Sequence, residues 1–360
     1  MPERIWNFNA GPATLPLPVL EKIKNDLPNY ANTGMALMEL SHRSKPYDAV
    51  HQETKALLRE NFGIPENYQI LFLQGGASSQ FYMIPMNLLR EGQSADYVNT
   101  GSWSKKAIKE ARLFGTVNIA GSSEDANFAY IPAELKLDPK AQYVHITSNN
   151  TIAGTQWASY PDTGNVPLIA DMSSDILSRK VDFKNFGLIY AGAQKNLGPS
   201  GVTVVIIRND LVEKSRDDLP TMIKYKTHAE KDSLFNTPPT FSIYILKLVQ
   251  EYVKSIGGLA AVQKENEEKG KLLYATIEEM NDYYKCPVRK DSRSLMNVVF
   301  RLPSEDLEKK FIADGSEAGF GGLKGHRSVG GIRVSMYNAL PLKGIQELTQ
   351  FMKEFAIKNG

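Results

Sequence analysis

The feature that most constrains this chain is a series of short apolar runs between residues 68 and 207. Most are continuous stretches of apolar or β-branched residues, without strict alternation of apolar and polar positions. Such runs are typical of strands buried on both faces, as in a largely parallel sheet covered by helices. We therefore predict an α/β fold with a mostly parallel seven-stranded sheet, built from Gln69–Leu73, Asp96–Asn99, Val117–Ala120, Tyr143–Thr147, Pro167–Ala170, Leu188–Ala191 and Val202–Ile207.

Helical patterns separate these runs and continue after the last one. Ser104–Phe114 is a predicted amphipathic helix, with Ser104 as its N-cap and Gly115 as its stop. A long helix is predicted after Pro238-Pro239, and Gly257-Gly258 then interrupts the pattern. We place a domain boundary there. The expected parts are an N-terminal arm at residues 1–15, a large domain at residues 16–257 and a smaller α+β domain at residues 258–360.

Two chemically useful side chains come at the ends of neighbouring predicted strands. Lys195 lies in a turn just after Leu188–Ala191, and Asp171 directly follows Pro167–Ala170. Ligands of open α/β sheets bind at the carboxyl ends of the strands. Pyridoxal phosphate needs an amine that forms a Schiff base and a carboxylate that holds its ring nitrogen protonated. The pair therefore indicates a pyridoxal phosphate site with Lys195 and Asp171 as catalytic residues. A loop lysine and a helix-capping aspartate are the alternative interpretation.

A glycine-rich loop after the first predicted strand is a candidate phosphate site. Gln74-Gly75-Gly76-Ala77-Ser78-Ser79 follows Leu73 and begins a helical segment. Glycines let the backbone approach an anion closely, and a helix start offers unpaired N–H groups. A nucleotide P-loop would need Gly-Lys-Ser/Thr at a fixed spacing, which this loop lacks. The loop predicts a site for the cofactor phosphate, and a plain strand-to-helix turn is the alternative.

Two His-Arg pairs and one further arginine are candidates for binding an anionic substrate. The pairs are His42-Arg43 and His326-Arg327, and Arg333 follows Gly330-Gly331-Ile332. A guanidinium binds phosphate or carboxylate through two parallel hydrogen bonds, and an imidazolium adds a third donor. A phosphorylated substrate needs such a cluster. Taken singly, each pair is also compatible with a solvated surface pair, and Arg333 with an ion pair at a strand edge.

Composition and charge exclude several other classes. The formal net charge of +2 over 360 residues gives no reason to expect nucleic acid or a membrane surface as partner. The five histidines show no metal-ligand spacing, so no metal site is predicted. The N-terminus lacks the apolar core of a signal peptide, and no apolar run reaches the length of a membrane span. The single cysteine, Cys286, cannot form an intrachain disulfide, so we expect a cytoplasmic protein.

Eight sequence blocks along the whole chain carry a family resemblance. They are Asn7-Phe8-Asn9-Ala10-Gly11-Pro12-Ala13, Ser41-His42-Arg43-Ser44, Gln74-Gly75-Gly76-Ala77-Ser78, Asn149-Asn150-Thr151-Ile152-Ala153-Gly154, Asp171-Met172-Ser173-Ser174, Gln194-Lys195-Asn196, Asn236-Thr237-Pro238-Pro239 and Arg333-Val334-Ser335. In this order they resemble the blocks of phosphoserine aminotransferases, a branch of the fold type I pyridoxal phosphate enzymes. The resemblance implies the fold type I aminotransferase architecture and pyridoxal 5'-phosphate as cofactor.

The resemblance also implies roles for particular residues. The two His-Arg pairs, His42, Arg43, His326 and Arg327, would bind the substrate phosphate, and Arg333 the substrate α-carboxylate. Residues implied in cofactor binding are Gly76, Ala77, Ser78, Trp103, Thr151, Asp171, Gln194, Lys195, Asn236 and Thr237. In the family, the asparagine and threonine reach the partner's cofactor phosphate. A homodimer with shared active sites is therefore expected.

The reaction implied by the resemblance is a transamination in serine biosynthesis. Glutamate donates its amino group to 3-phosphohydroxypyruvate, which gives O-phospho-L-serine and 2-oxoglutarate. A related phosphorylated keto acid of vitamin B6 (pyridoxine) biosynthesis is allowed as a second substrate. One rival is another fold type I aminotransferase for small unphosphorylated substrates, and the two His-Arg pairs argue against it. The other rival is a non-catalytic protein that kept the fold, and the Asp171–Lys195 pair argues against that one.

Overall fold

The computed structural model describes residues 4–360, and a seven-stranded sheet forms its centre. All seven predicted strands are present, each within two residues of its expected bounds. In chain order the strands are β1 (Trp6–Asn7), β2 (Tyr68–Leu73), β3 (Ser94–Asn99), β4 (Thr116–Ser122), β5 (Val144–Thr147), β6 (Asn149–Asn150), β7 (Thr155–Gln156), β8 (Leu168–Asp171), β9 (Phe186–Gly192), β10 (Thr203–Arg208), β11 (Asn297–Phe300), β12 (Phe320–Gly321) and β13 (Ile332–Ser335).

The strand directions bring most carboxyl ends to one edge of the sheet. The order is β2-β10-β9-β8-β5-β3-β4. β10 is antiparallel to β2 and β9, and the remaining neighbours are parallel. Six strands therefore point the same way, which confirms the predicted mostly parallel sheet. Segments that follow these six strands meet at a single edge, where ligands of such sheets bind.

Side chains of the central sheet contribute to two hydrophobic cores, one on each face. Ile70 and Phe72 of β2 pack in one core, whereas Leu71 and Leu73 pack in the other. Successive residues of a strand point to opposite faces, so burial of both faces requires apolar residues at nearly every position. All seven residues of β9 are buried. This burial explains the continuous apolar runs in the sequence.

Helices cover both faces of the sheet and form much of the C-terminal part. Among residues 4–360, no helix is long and apolar enough to cross a membrane. The α-helices are α1 (Leu17–Asp26), α2 (Lys45–Phe62), α3 (Gly76–Leu88), α4 (Ser102–Ala111), α5 (Asn209–Glu213), α6 (Tyr225–Glu230), α7 (Thr240–Ser255), α8 (Gly258–Glu279), α9 (Glu305–Glu317) and α10 (Leu342–Asn359).

Helix α4 begins two residues before the predicted start, because its N-cap is Gly101. Ser104 lies in the first turn, where its Oγ accepts hydrogen bonds from the backbone N–H groups of Thr100 (3.0 Å) and Gly101 (2.9 Å). The prediction of Ser104 as N-cap is therefore wrong, since its hydroxyl bonds backwards along the chain. Gly115 is not the stop either, because the helix ends at Ala111.

The C-terminal part has its own core, which includes the N-terminal segment. Helices α8, α9 and α10 pack with the antiparallel pair β11–β13 around a cluster that contains the fully buried Phe8. β1 extends this contact by pairing in parallel with β12. Ser304 is the N-cap of α9, since its side chain accepts a hydrogen bond from the Leu307 N–H at 3.3 Å. The N-terminal segment is thus held against the C-terminal part.

Burial within the sheet predicts the cost of truncating one isoleucine. Ile189 of β9 is fully buried, whereas Ile119 of β4 is 41% exposed. Ile189→Ala leaves a cavity and should lower the free energy of unfolding by about 2–5 kcal/mol. Ile119→Ala is the matched control and should cost less than about 1 kcal/mol. Urea unfolding followed by circular dichroism measures both changes, and equal losses would contradict the burial of Ile189.

Candidate active site

A cavity of about 310 Å³ lies at the sheet edge where the parallel strands end. The segments after β2, β3, β5, β8 and β9 contribute to it, together with the N-terminal segment and the C-terminal part. Its lining residues are Ala10, Gly11, Gly76, Ala77, Ser78, Trp103, Thr147, Asn149, Thr151, Ile152, Asp171, Ser173, Ser174, Gln194, Lys195, His326 and Arg333. The cavity has the size and enclosure of a small-molecule site.

Lys195 and Asp171 both line this cavity because β8 and β9 are neighbouring parallel strands. Asp171 is the last residue of β8, and Lys195 lies in the turn after β9. The N-terminal segment covers that turn, since the Ala13 N–H donates to the Gln194 carbonyl at 2.9 Å. At Gly11, whose φ is +126°, an added Cβ would lie 3.3 Å from Lys195 Cγ. A larger residue at this position would press on the lysine.

Burial shifts the pKa values of both groups towards their neutral forms. The pKa of Asp171 is raised by loss of water, while hydrogen bonding from Ser173 and the charge of Lys195 oppose the shift. The Ser173 N–H donates to Asp171 Oδ1 at 2.9 Å. Burial lowers the pKa of Lys195 to about 8, although the Asp171 carboxylate favours the ammonium form. The lysine is therefore partly a neutral amine near physiological pH.

The glycine-rich loop presents the start of α3 to the cavity. Gly75 has a left-handed φ of +88°, and an added Cβ would lie 1.8 Å from Ser79 Oγ. Only glycine fits this position without displacing the helix. Gly76, Ala77 and Ser78 follow and line the cavity. Their place in the first turn of a 13-residue helix suits an anion such as phosphate.

Trp103, Thr151 and Arg333 form a connected wall. Trp103 Nε1 donates to Thr151 Oγ1 at 3.1 Å, and Arg333 Nη1 donates to the Thr151 carbonyl at 3.2 Å. Lys195 Nζ lies 5.8 Å from the centre of the Trp103 ring. Three residues from distant parts of the sequence therefore converge beside the lysine, and His326 joins them in the lining.

Five predicted site residues are absent from the cavity lining within residues 4–360. Arg43 is exposed and His42 is half-buried at the start of α2. Asn236 and Thr237 lie in the segment between α6 and α7, and Arg327 lies in a neighbouring cavity that also contains His326. A single chain thus brings only part of the predicted set together.

Several lining residues were missed by sequence reasoning. The Asn7–Ala13 block was noticed only as part of the resemblance, yet Ala10 and Gly11 line the cavity. Ser173 follows Asp171 by two residues, a spacing at which a backbone N–H often bonds a preceding aspartate. Thr147 could have been found from the sequence, since it is the last residue of a predicted strand and of β5. Asn149, Ile152 and Ser174 lie in blocks of the resemblance, but no role was assigned to them.

The chemical groups that line the cavity suit pyridoxal phosphate. The amine of Lys195, the carboxylate of Asp171, the Trp103 ring and the α3 N-terminus are groups that this cofactor needs. Two buried polar atoms of lining residues, Thr147 Oγ1 and Arg333 Nε, have no hydrogen-bond partner among the described residues. Buried polar atoms of this kind are normally paired, so they indicate a polar ligand. In residues 4–360, no His, Cys, Asp and Glu cluster suits a metal ion.

The lowered pKa of Lys195 predicts the pH dependence of its reactivity. Loss of water disfavours the ammonium form, so the neutral fraction should rise between pH 7 and pH 9 and then saturate. Labelling of Lys195 by acetic anhydride in cofactor-free protein should accelerate roughly tenfold over this range. Mass spectrometry measures the rate against Nα-acetyl-lysine, whose reactivity keeps rising to pH 10. A Lys195 profile parallel to that of the reference compound would contradict the lowered pKa.

Comparisons with known proteins agree with this geometry. The family model for class-V aminotransferases matches residues 5–348. The phosphoserine aminotransferase of Desulfosudis oleivorans is 58% identical, with 100% of both chains covered. The structure of phosphoserine aminotransferase from Bacillus circulans subsp. alkalophilus is 54% identical, covers 99% of both chains and superposes with a TM-score of 0.98.

A more distant relative has been solved with pyridoxal phosphate bound. It is a phosphoserine aminotransferase from Trichomonas vaginalis with bound pyridoxal phosphate, 38% identical, with a TM-score of 0.93. The match covers 97% of this chain and 100% of that one. The chain therefore belongs to the class-V aminotransferases and, within them, to the phosphoserine aminotransferase family.

Proposed function

We propose that this chain is a pyridoxal phosphate-dependent transaminase acting on glutamate and 3-phosphohydroxypyruvate. The products are 2-oxoglutarate and O-phospho-L-serine, a step of serine biosynthesis, and a related phosphorylated keto acid of vitamin B6 biosynthesis is a second candidate substrate. The observation that carries the proposal is the shared cavity of Lys195, Asp171 and the α3 N-terminus. Family membership and the names of the full-length relatives support it.

The cofactor contacts follow from the groups around the cavity. Gly76, Ala77 and Ser78 would hold the phosphate with backbone N–H groups and the Ser78 hydroxyl. Trp103 offers a flat face to the ring, Thr151 offers a hydroxyl and Gln194 lies beside Lys195. When bound, the cofactor supplies an electron-withdrawing ring that makes the α-hydrogen of an amino acid acidic.

Lys195 and Asp171 divide the acid–base work in this proposal. Lys195 Nζ would take the proton from the substrate Cα as general base and, as general acid, would deliver it to the cofactor carbon that receives the amino group. A pKa of about 8 suits both directions near neutral pH. Asp171, fixed by the Ser173 N–H, stabilises a positive charge on the ring nitrogen in a site with little water.

Substrate anions meet two groups of cations. Arg333 is the proposed partner of the α-carboxylate that all amino acid substrates share, because it lines the cavity and its Nε is unpaired. His326 and Arg327, together with His42 and Arg43, are the proposed partners of the phosphate. Partial burial and the charges of Arg333 and Arg327 lower the pKa of His326. A phosphate dianion would counteract that shift and favour the imidazolium.

This division predicts different substrate profiles for two arginine variants. Arg43→Ala removes a bidentate phosphate partner, which should cost roughly 2–4 kcal/mol with phosphoserine, or about thirty- to thousand-fold in efficiency. Glutamate should lose less, because its side-chain carboxylate is a monoanion at the same end of the site. Arg333→Ala should impair phosphoserine and glutamate alike. The ratio of the two half-reaction efficiencies, followed by absorbance of the cofactor, measures the difference.

The control is Arg216→Ala, which removes an arginine paired with Asp218, away from the cavity. It should leave both half-reactions unchanged. Equal losses for phosphoserine and glutamate in Arg43→Ala would contradict phosphate selection. Rapid turnover of alanine or serine by the unaltered protein would favour an aminotransferase for unphosphorylated substrates.

We also propose that the active enzyme is a homodimer whose sites are built from both chains. His42, Arg43, Asn236 and Thr237 lie outside the cavity of their own chain, and Arg43 and Thr237 are exposed. A symmetric dimer would let each chain supply these residues to the partner's cavity.

Cys286 is a free thiol, which supports a cytoplasmic location for this enzyme.

The same proposal assigns the parts of the chain to three units. Residues 1–15 are the N-terminal arm, residues 16–257 the large cofactor-binding domain and residues 258–360 the small C-terminal domain. The separate core of the C-terminal part and the left-handed φ angles of Gly257 and Gly258 support the boundary.

Mixing two inactive variants tests whether the sites are shared. One chain carries Lys195→Ala, and the other carries Asn236→Ala with Thr237→Ala. In the heterodimer one site collects both defects and the other is intact. Equal mixing should therefore restore roughly a quarter of wild-type activity.

The control mixes Lys195→Ala chains with Asp171→Asn chains, whose defects lie in the cavity of their own chain. Every site of that heterodimer keeps one defect, so no activity should return. Failure of the first mixture to recover, with heterodimers detected by native mass spectrometry, would mean that Asn236 and Thr237 serve their own chain.

A further inference from the structure

The segment between α6 and α7 has an unusual backbone at its start. Asp232 and Ser233 have left-handed φ angles of +49° and +61°, although neither is a glycine. Such conformations cost free energy in non-glycine residues and persist only where surrounding contacts hold them. The segment continues through Asn236 and Thr237 to Pro239, the N-cap of α7. Something in the fold therefore fixes the turn that leads to these two residues.

Helix α2 provides the first set of contacts, through the carboxylate of Asp232. Lys55 Nζ forms an ion pair with Asp232 Oδ1. Gln52 Nε2 donates to Asp232 Oδ2 at 2.7 Å, and the fully buried His51 has its Nε2 3.5 Å from the same oxygen. These three residues lie within about one turn of α2, and the Asp232 side chain is 36% exposed. Burial would raise the pKa of Asp232, yet His51 and Lys55 hold it below its usual range.

The edge of the central sheet provides the second set. β2 is an edge strand, and the Phe72 N–H donates to Ser233 Oγ at 2.9 Å. Two residues further along, Gln74 Nε2 donates to the Thr237 carbonyl at 3.3 Å. Gln74 begins the loop that precedes α3, so the segment is fastened beside the loop proposed to hold the cofactor phosphate. The structure thus attaches one segment to α2, to β2 and to the phosphate loop.

We propose that Asp232 is a positioning residue that holds residues 233–237 in the conformation needed to deliver Asn236 and Thr237 to the cofactor phosphate of the partner subunit. The contacts with Lys55 and Gln52 fix the left-handed turn, and the Ser233 and Thr237 contacts set the distance from the phosphate loop. This inference rests on the proposed function of Asn236 and Thr237. Asp232 itself touches neither cofactor nor substrate in the proposal.

The contacts argue for positioning over simple stabilisation of the fold. Asp232 is partly exposed, and its partners Lys55 and Gln52 lie on the outer part of α2. The Lys55 and Asp232 side chains are 19% and 36% exposed, and an ion pair within reach of water contributes little to global stability. Asp232 instead selects one conformation of the short segment 233–237. Its contacts should therefore affect the position of Asn236 and Thr237 more than the global stability.

The test measures cofactor affinity and local mobility in the dimeric protein. Asp232→Asn keeps the shape but removes the charge, and Lys55→Met removes the ammonium partner. Each variant should raise the Kd of pyridoxal phosphate about tenfold. Hydrogen–deuterium exchange of residues 231–239 should become faster in the cofactor-free variants, while exchange in β8 and β9 stays unchanged. Thr237→Ala should raise the Kd without changing exchange in residues 231–233.

Asp218→Asn is the matched control, because Asp218 is also paired with a cation, Arg216, but lies in the loop between α5 and α6. It should alter neither measurement. An unchanged Kd in Asp232→Asn and Lys55→Met, with a raised Kd in Thr237→Ala, would overturn the positioning role and leave the proposed function standing. An unchanged Kd in Thr237→Ala would overturn both. If Asp232→Asn does not fold, Lys55→Met decides.

Discussion

The removal of Lys195 and Asp171 from water is the constraint on which the rest of the site depends. Burial shifts both groups towards neutrality, and each charge partly opposes the shift of the other. An arrangement of this kind persists only in a rigid frame, because an amine or carboxylate free to move would return to water. The neighbouring strands β8 and β9 provide that frame, and the cores on both faces of the sheet hold the strands in place.

The cavity depends equally on parts of the chain outside the sheet. Ala10 and Gly11 come from the N-terminal segment, and His326 and Arg333 from the C-terminal part. These two regions share one hydrophobic core, in which Phe8 packs against the C-terminal helices and strands. The same packing therefore determines how the N-terminal segment covers Lys195 and where His326 and Arg333 lie. A change in that core would alter access to Lys195 as well as substrate binding.

In our proposals, residues outside the cavity of their own chain contribute to the active site of the partner subunit. The segment 41–44 precedes α2, and α2 in turn anchors Asp232. One helix thus connects the His42-Arg43 pair to the segment that carries Asn236 and Thr237. A partner subunit would receive both segments from a single rigid support.

The sequence by itself determined the seven strands, their mostly parallel order and the pairing of Asp171 with Lys195, because strands buried on both faces leave continuous apolar runs and strand ends mark the site. It misplaced the N-cap of α4, since a serine hydroxyl bonds in either direction along the chain. Only the tertiary structure decided that Gly11, Thr147 and Ser173 line the cavity and that Arg43 and Thr237 do not. Those outcomes depend on contacts between residues far apart in sequence, and such contacts cannot be deduced from local patterns of apolar and polar residues.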